Sequence, residues 1–568
     1  MKNLKAQFKL IIYLFLFLNA SNIVLGKNLD KFSNAKDIHN YFSGILSISD
    51  NQYEQSYSYL KKLNNLEDNH YVYSRYYQYS LVALNKFKDA AKYSTKLRNK
   101  NIDNFESNLI SVVFYLKDED FKNALFYLKK MKNKNQPGSV QNLLLTSLRA
   151  WINFRNTADL NLGLTLIDTI PERFKNVKNI QKTFAYCYFD SAKTDEMFKQ
   201  LTTNPDINYS RYNFFHSNYL ISKNIEDKAE QIIKSSLNNY PKNLILNQLK
   251  LDFKKKKKFN NKFDCKKISD VIAEIFYITS NTLATQDNYM GSNFYLSLAK
   301  YLNPDFVSYE ALYAENFFFI QEYEKAKKIY NEIKKKGLVY RWHASKQIAS
   351  ILIKQNKSKD AAKSLKKSFE EIVNPTIYEL FDYAEFLKNN EKYEKSIEYY
   401  SKLLKLINKK DTLYSQAMDG RGVAYERTNQ WNKAQIDLLN SLKASPDNAY
   451  VINYLAYTWI EKEINVKKSL KMLKKANSLR PNDGYIIDSL GWALFKLKNY
   501  KEAKQYLESA IIYMPSDPVV NDHYADALWM NNKTLQARYY WNYVLKLEKT
   551  EEKLKKIIKQ KLLFGLKS

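Results

Sequence analysis

An all-α, right-handed superhelical solenoid of about 14 helical hairpins is the fold class that the sequence predicts. Three observations predict it. Small residues recur along the chain at a fixed interval, paired at a constant offset inside each interval. Alternating apolar runs and Gly or Pro turn clusters, the signals of strands and β-hairpins, are nearly absent; only 11 Gly and 10 Pro occur in 568 residues. An apolar fraction of 45%, with 15% aromatic residues, supplies material for a continuous core.

The interval is clearest in DSLGWALFKLKNYKEAKQYLESAIIYMPSDP, residues 488–518. Gly491 sits mid-helix, where glycine costs roughly 0.5–1 kcal/mol relative to alanine. Close approach of a second helix compensates, with Ala503 as the expected small residue on that helix, and Pro515 ending the hairpin. The next unit repeats the pattern as Ala525, Ala537 and Trp541, each 34 positions after Gly491, Ala503 and Leu507. Upstream units carry Gly422 with Ala434, and Ala456 with Ser469.

In chain order, residues 1–26 come first. MKNLKAQFKLIIYLFLFLNASNIVLGKNLD has three lysines, an apolar run from Leu10 to Leu18, then small and polar residues. The run is too short to span a bilayer but suits a secretory signal, cleaved after Gly26 or near Ala20. Retention as an uncleaved anchor is the alternative. No cysteine is near, as lipid attachment would require. The chain is therefore expected to be exported, to the periplasm or envelope.

Residues 27–243 read as a divergent N-terminal array. Unit starts near 37, 71 and 105 are marked by Gly44 with Ser56, Ala90 and Ala124, and one near 210 by Ala229 and Pro241. Two units between 139 and 209 rest on helical periodicity alone. Residues 244–272 contain KLDFKKKKKFNNKFDCKK, whose five consecutive lysines (254–258) repel one another; this reads as an insertion or hinge between two arrays. Residues 273–551 form the C-terminal array, with unit starts near 273, 307, 342 and 377 before the four clearest units. Residues 552–568, with EEKLKKIIKQKLLF, read as an amphipathic capping helix with a charged outer face.

The spacing, paired small residues and terminal prolines resemble the tetratricopeptide repeat. The resemblance implies that the first helix of each unit lines an inner groove, with positions 2, 5, 9 and 12 facing inward. In the four clearest units position 5 is Asp419, Asn453, Asp488 and Asp522. Position 9 gives Tyr457, Trp492 and Asp526. Position 12 gives Glu426, Phe495 and Trp529, and position 2 gives Tyr450 and Tyr485. An acidic and aromatic strip on a basic protein fits an extended peptide. Bracing of neighbouring helices by these short polar residues is the competing reading.

NYLAYTW, DSLGW and NDHYADALW are similar to strings in the last three units of exported Gram-negative repeat proteins. Among these are lipoprotein adaptors of a periplasmic carboxy-terminal processing protease. The likeness implies a non-catalytic envelope scaffold with a protein or peptide partner, such as a periplasmic protease or cell-wall enzyme. The alternatives are a periplasmic chaperone of low sequence preference and a basic nucleic-acid binder.

The formal net charge of +31 invites the nucleic-acid reading, but only 11 of the 90 basic residues are arginines. Phosphate and base-edge forks favour arginine, so no nucleic-acid partner is expected. No metal-binding histidine pair, Cys-x-x-Cys, phosphate loop or nucleophile elbow occurs, so neither enzyme activity nor a cofactor is expected. The two cysteines, Cys187 and Cys265, lie 78 positions apart along a stack and are expected as separate core thiols.

Overall fold

The computed structural model describes residues 35–63, 66–68, 70–131, 139–203, 210–254 and 263–566. The expected signal segment 1–26 lies outside them, as do lysines 255–258 of the lysine run. The described residues form α-helices joined by short turns, with two single-turn 3-10 segments and no strand. The chain divides into two compact units, 1–356 and 357–568.

In the first unit six hairpins follow one another: α1 (Ala35–Ser49) and α2 (Tyr53–Leu60), α3 (Tyr71–Ala83) and α4 (Phe87–Asn99), α5 (Phe105–Lys117) and α6 (Phe121–Lys130), α7 (Val140–Thr157) and α8 (Leu160–Asp168), α9 (Lys175–Tyr188) and α10 (Thr194–Thr202), α11 (Ser210–Ser222) and α12 (Glu226–Asn239). Next come the single helix α13 (Leu244–Lys254), the hairpins α14 (Ile268–Ala284) with α15 (Tyr289–Leu302) and α16 (Val307–Phe319) with α17 (Tyr323–Ile333), and then α18 (Leu338–Lys354). The second unit holds α19 (Ser358–Glu370), five hairpins and a terminal helix. The hairpins are α20 (Ile377–Asn389) with α21 (Tyr393–Leu404), α22 (Thr412–Arg427) with α23 (Trp431–Ala444), α24 (Ala449–Glu461) with α25 (Val466–Leu479), α26 (Gly484–Lys496) with α27 (Tyr500–Tyr513), and α28 (Pro518–Met530) with α29 (Thr534–Lys546); α30 (Glu552–Phe564) ends the chain.

Local chemistry explains the boundaries. Asp483 and Asp517 cap α26 and α28, each carboxylate accepting two backbone N–H groups that have no partner inside the helix. Pro518 occupies the first turn of α28, where its missing N–H costs nothing. Turns inside hairpins such as those at Asn429, Lys498 and Asn532 use one residue of positive φ, at 59–63°, and the turn before α25 uses two, Glu463 and Asn465. Gly491 meets the second helix as expected: a Cβ there would lie 2.6 Å from Leu507 Cγ and 3.2 Å from the Leu507 backbone nitrogen. The side chain in that contact is Leu507; Ala503, one turn earlier, is fully buried.

Two expectations fail in the first unit. Residues on both sides of the lysine run belong to one core, and the compact unit ends at Asn356 rather than near 244–272. Leu246 and Leu249 of α13 are buried. Phe263 inserts among Phe184, Phe215 and Phe306 with ring centroids 4.2–6.1 Å away. This apolar insertion folds the chain back onto α9, so Cys187 and Cys265 are joined in a disulfide with Cα atoms 6.0 Å apart. Separation along a straight stack, the basis for expecting separate thiols, does not apply where the stack turns back.

The same return fills the first unit's interior. Helices α14 and α15 pack on α3, α5 and α7. Phe294 stacks on Tyr79 at 4.3 Å, and Tyr301 on Phe87 at 3.8 Å. Asn293 Nδ2 donates to the Tyr53 hydroxyl at 3.2 Å, and Gln52 Nε2 to Glu322 at 2.7 Å, across 240 and 270 positions of chain. Arg211 reaches the fully buried Glu274 with two nitrogens, each at 2.7 Å, its guanidinium resting over Tyr277 at 4.1 Å. Here the inner sides of the first helices are occupied by the protein's own side chains.

Candidate functional site

In the second unit the first helices α20, α22, α24, α26 and α28 lie side by side. No helix after α21 folds back onto this row until α30 reaches its last member. The side chains expected to face a partner divide accordingly into three groups.

At the C-terminal end the strip is spoken for. Lys561 of α30 places its ammonium between Asp522 and Asp526, donating to both carboxylates at 2.7–2.9 Å. Asp526 also accepts from Trp541 Nε1 at 3.0 Å. Burial pushes the Asp526 carboxyl well up, and Asp522 beside it adds to the rise, against the pull of Lys561. Burial alone would lower the Lys561 ammonium, but the two carboxylates outweigh it and hold it above its usual range. Trp529 lies under the chain end, where a Cβ on Gly565 would fall 2.1 Å from its ring. Asp522, Asp526 and Trp529 are therefore contacts of the protein's own terminal helix. Lys553, Lys556 and Lys559 of α30 are exposed, while Lys561 points inward, on the same stripe as the fully buried Ile558.

In the middle the strip becomes an aromatic shelf. Trp492 stacks on His523 at 3.9 Å and on Phe495 at 4.8 Å, with Tyr457 flanking His523 at 6.5 Å. Trp492 Nε1 donates to Glu461 at 2.7 Å. Asp488 is buried and holds His523 Nδ1 at 3.0 Å. Burial would lower the His523 imidazole, yet Asp488, with Asp522 and Asp526 near, turns the shift upward. Tyr457 joins Trp492 and Phe495 through His523, and Asp488 serves as an internal brace.

At the N-terminal end the strip is largely unanswered. Asn453 Oδ1 is buried without a hydrogen-bond partner. Asp419 is pushed up to about 6 by burial, with Glu385 adding to the rise and Lys388 opposing it. Tyr450 and Tyr485 are 53% and 54% exposed; Arg480 lies over the Tyr450 ring at 4.8 Å, and the Tyr485 hydroxyl reaches Asp517 at 3.4 Å. Glu426 is engaged within the unit, accepting from the Tyr454 hydroxyl at 2.8 Å.

Sequence reasoning missed His523, Glu461 and Lys561. His523 stands one position beyond the inward Asp522, and nothing in the repeat rule marks it. Lys561 was detectable: it lies three residues after Ile558, at a helical spacing that shares a face. Among the described residues no group of three or more His, Cys, Asp or Glu is arranged to hold a metal ion.

The comparisons agree with this architecture. Residues 320–550 match a family model described as tetratricopeptide repeat. A TPR repeat-containing protein of Pseudomonas aeruginosa, PA4667, is 28% identical over 170 residues, which are 30% of this chain and 28% of that protein. The aligned stretch thus spans little more than a quarter of the relative's length. Solved structures with similarity include the APC/C hetero-tetramer Cut9–Hcn1 (14% identity, 94% of this chain and 97% of that one, TM-score 0.38). They also include PilF of Pseudomonas aeruginosa (18% identity, 33% and 85%, TM-score 0.28). MamA of Desulfovibrio magneticus RS-1 is a third (13% identity, 32% and 99%, TM-score 0.28). Scores of this size support no inference about function. The family match is confined to residues 320–550, where the helical hairpins are those such a repeat would give.

Proposed function

We propose that the protein is a non-catalytic adaptor of the bacterial cell envelope that binds a partner polypeptide along the first-helix face of its second unit. The observation that carries this reading is the contrast within that face. Its C-terminal carboxylates are neutralised by the protein's own lysine, while Asn453 Oδ1, Tyr450 and Tyr485 remain without an equivalent cover. Several contacts along a preorganised face give affinity without a deep pocket.

Export is supported by the N-terminal lysine–apolar–small pattern. It is also supported by the disulfide, because the chain's only two cysteines are joined, as suits an oxidising compartment. A periplasmic protease or cell-wall enzyme is the partner class that the motif resemblance suggests.

The test is capture from envelope extracts with the mature chain as bait. Replacing Tyr450, Asn453 and Tyr485 together by alanine is expected to abolish capture with far-UV circular dichroism and melting temperature unchanged. Undiminished capture by this variant would remove the face from consideration. Capture of many unrelated peptides with equal affinity would favour a chaperone instead.

A further inference from the structure

The last hairpin carries its ligand-facing positions already filled, and what fills them is chemically specific. One lysine bridges two carboxylates on successive turns of α28. The backbone at Gly565, at φ +71°, closes over Trp529 where no larger residue would fit. Arg538 donates to the Leu562 carbonyl from the side. The remaining hold is a short apolar stripe, in which Leu554, Leu562 and Leu566 pack, partly exposed, against the core that Ile558 enters. Ile558 is the single fully buried side chain of α30, while Leu563 and Phe564 at its end are 72% and 76% exposed. The helix carries five lysines, of which Lys561 is the one that meets the acids of α28.

We propose that the inner face of the last hairpin is a receptor for a lysine-bearing helix, occupied in cis by α30 as an exchangeable ligand that a basic helical segment of the partner displaces. The proposal rests on the adaptor reading for the partner's existence, and on the geometry of α30 for the partner's chemistry. A lysine helix that seats on Asp522 and Asp526 then continues onto the aromatic shelf of Trp492 and Tyr457, which belongs to the same face. Intramolecular tethering gives α30 a high effective concentration, so a partner must offer more than one contact to compete.

The experiment uses the full chain and a synthetic peptide copying residues 551–566. Lys561→Glu places a third carboxylate between Asp522 and Asp526 and is expected to expel α30. Hydrogen exchange in α30 should then rise at least about tenfold while α27–α29 keep their protection. The peptide, followed by anisotropy, should bind this variant at least about tenfold tighter than it binds the wild-type chain. A peptide with alanine in place of Lys561 should not bind. Gly565→Ala, which drives the chain end off Trp529 without touching the charges, should open the site to the same peptide.

The proposal is overturned if the peptide fails to bind either variant while α27–α29 stay protected. It is also overturned if both variants lose protection throughout α28 and α29, which would make α30 an integral part of the hairpin. Peptide exchange that succeeds while the Tyr450, Asn453 and Tyr485 variant still captures its partner would sink the adaptor face but leave this receptor standing.

Discussion

The two compact units are built from the same hairpin, and they use it in opposite ways. In the first, the chain returns through α13–α17 and fills the space between α3, α5 and α7 with stacked tyrosines and phenylalanines and a bidentate Arg211–Glu274 pair. In the second, no return occurs until α30, and the row of first helices keeps Tyr450 and Tyr485 about half exposed. A repeat of this type therefore does not by itself make a binding groove. What decides is whether a later segment carries enough apolar surface to occupy the inner row. In the first unit Phe263, Phe294, Tyr301 and Phe306 supply it. In the second only α30 is left to do so, and it reaches the last hairpin alone.

The largest effect is expected from removing what locks the first unit. Arg211→Ala strands Glu274, which is fully buried, and is expected to destabilise that unit by about 3–5 kcal/mol. Segment-resolved hydrogen exchange should show the loss confined to residues before 357. Spreading of the loss into α22–α29 would show that the units do not fold separately. Next in size, Cys265→Ser should cost the same unit about 2–4 kcal/mol, read from urea titration, because the bond closes a long loop in the unfolded chain.

A sharper probe of the open face is pH. Burial holds Asp419 protonated to about 6 in the folded chain, well above its unfolded value. Between roughly pH 4 and 6 the folded state therefore binds the extra proton, and stability falls as pH rises through that window. Asp419→Asn should remove this fall. It is expected to leave stability at pH 4 nearly unchanged and to raise it at pH 7.5 by about 1–3 kcal/mol. Equal effects at both pH values would mean the carboxyl is not desolvated. The smallest effect is expected at Lys498, whose φ of +63° strains any side chain; Lys498→Gly should stabilise the second unit by about 0.5–1 kcal/mol in thermal melts.

Much of the hairpin register was legible because it depends on neighbours in sequence. The observed first helices begin at Tyr71, Phe105, Ser210, Val307 and Ile377, where the expected starts near 71, 105, 210, 307 and 377 lie. The roles of Asp488, Asp522 and Asp526 did not follow. Each is answered by a group whose position depends on packing: His523 on the next first helix, and Lys561 on a helix 35–39 residues further on. Periodicity is silent about what covers a face.

The sequence by itself determined an all-helical stack, the 34-residue register and the chemical character of the inner strip, since each rests on local spacing and side-chain type. The tertiary structure alone decided that Cys187 meets Cys265, that the first unit is filled, and that Lys561 closes the end of the strip. These depend on where distant segments return, which is set by the burial of a few large apolar side chains far apart in the chain. Local periodicity carries no information about that return.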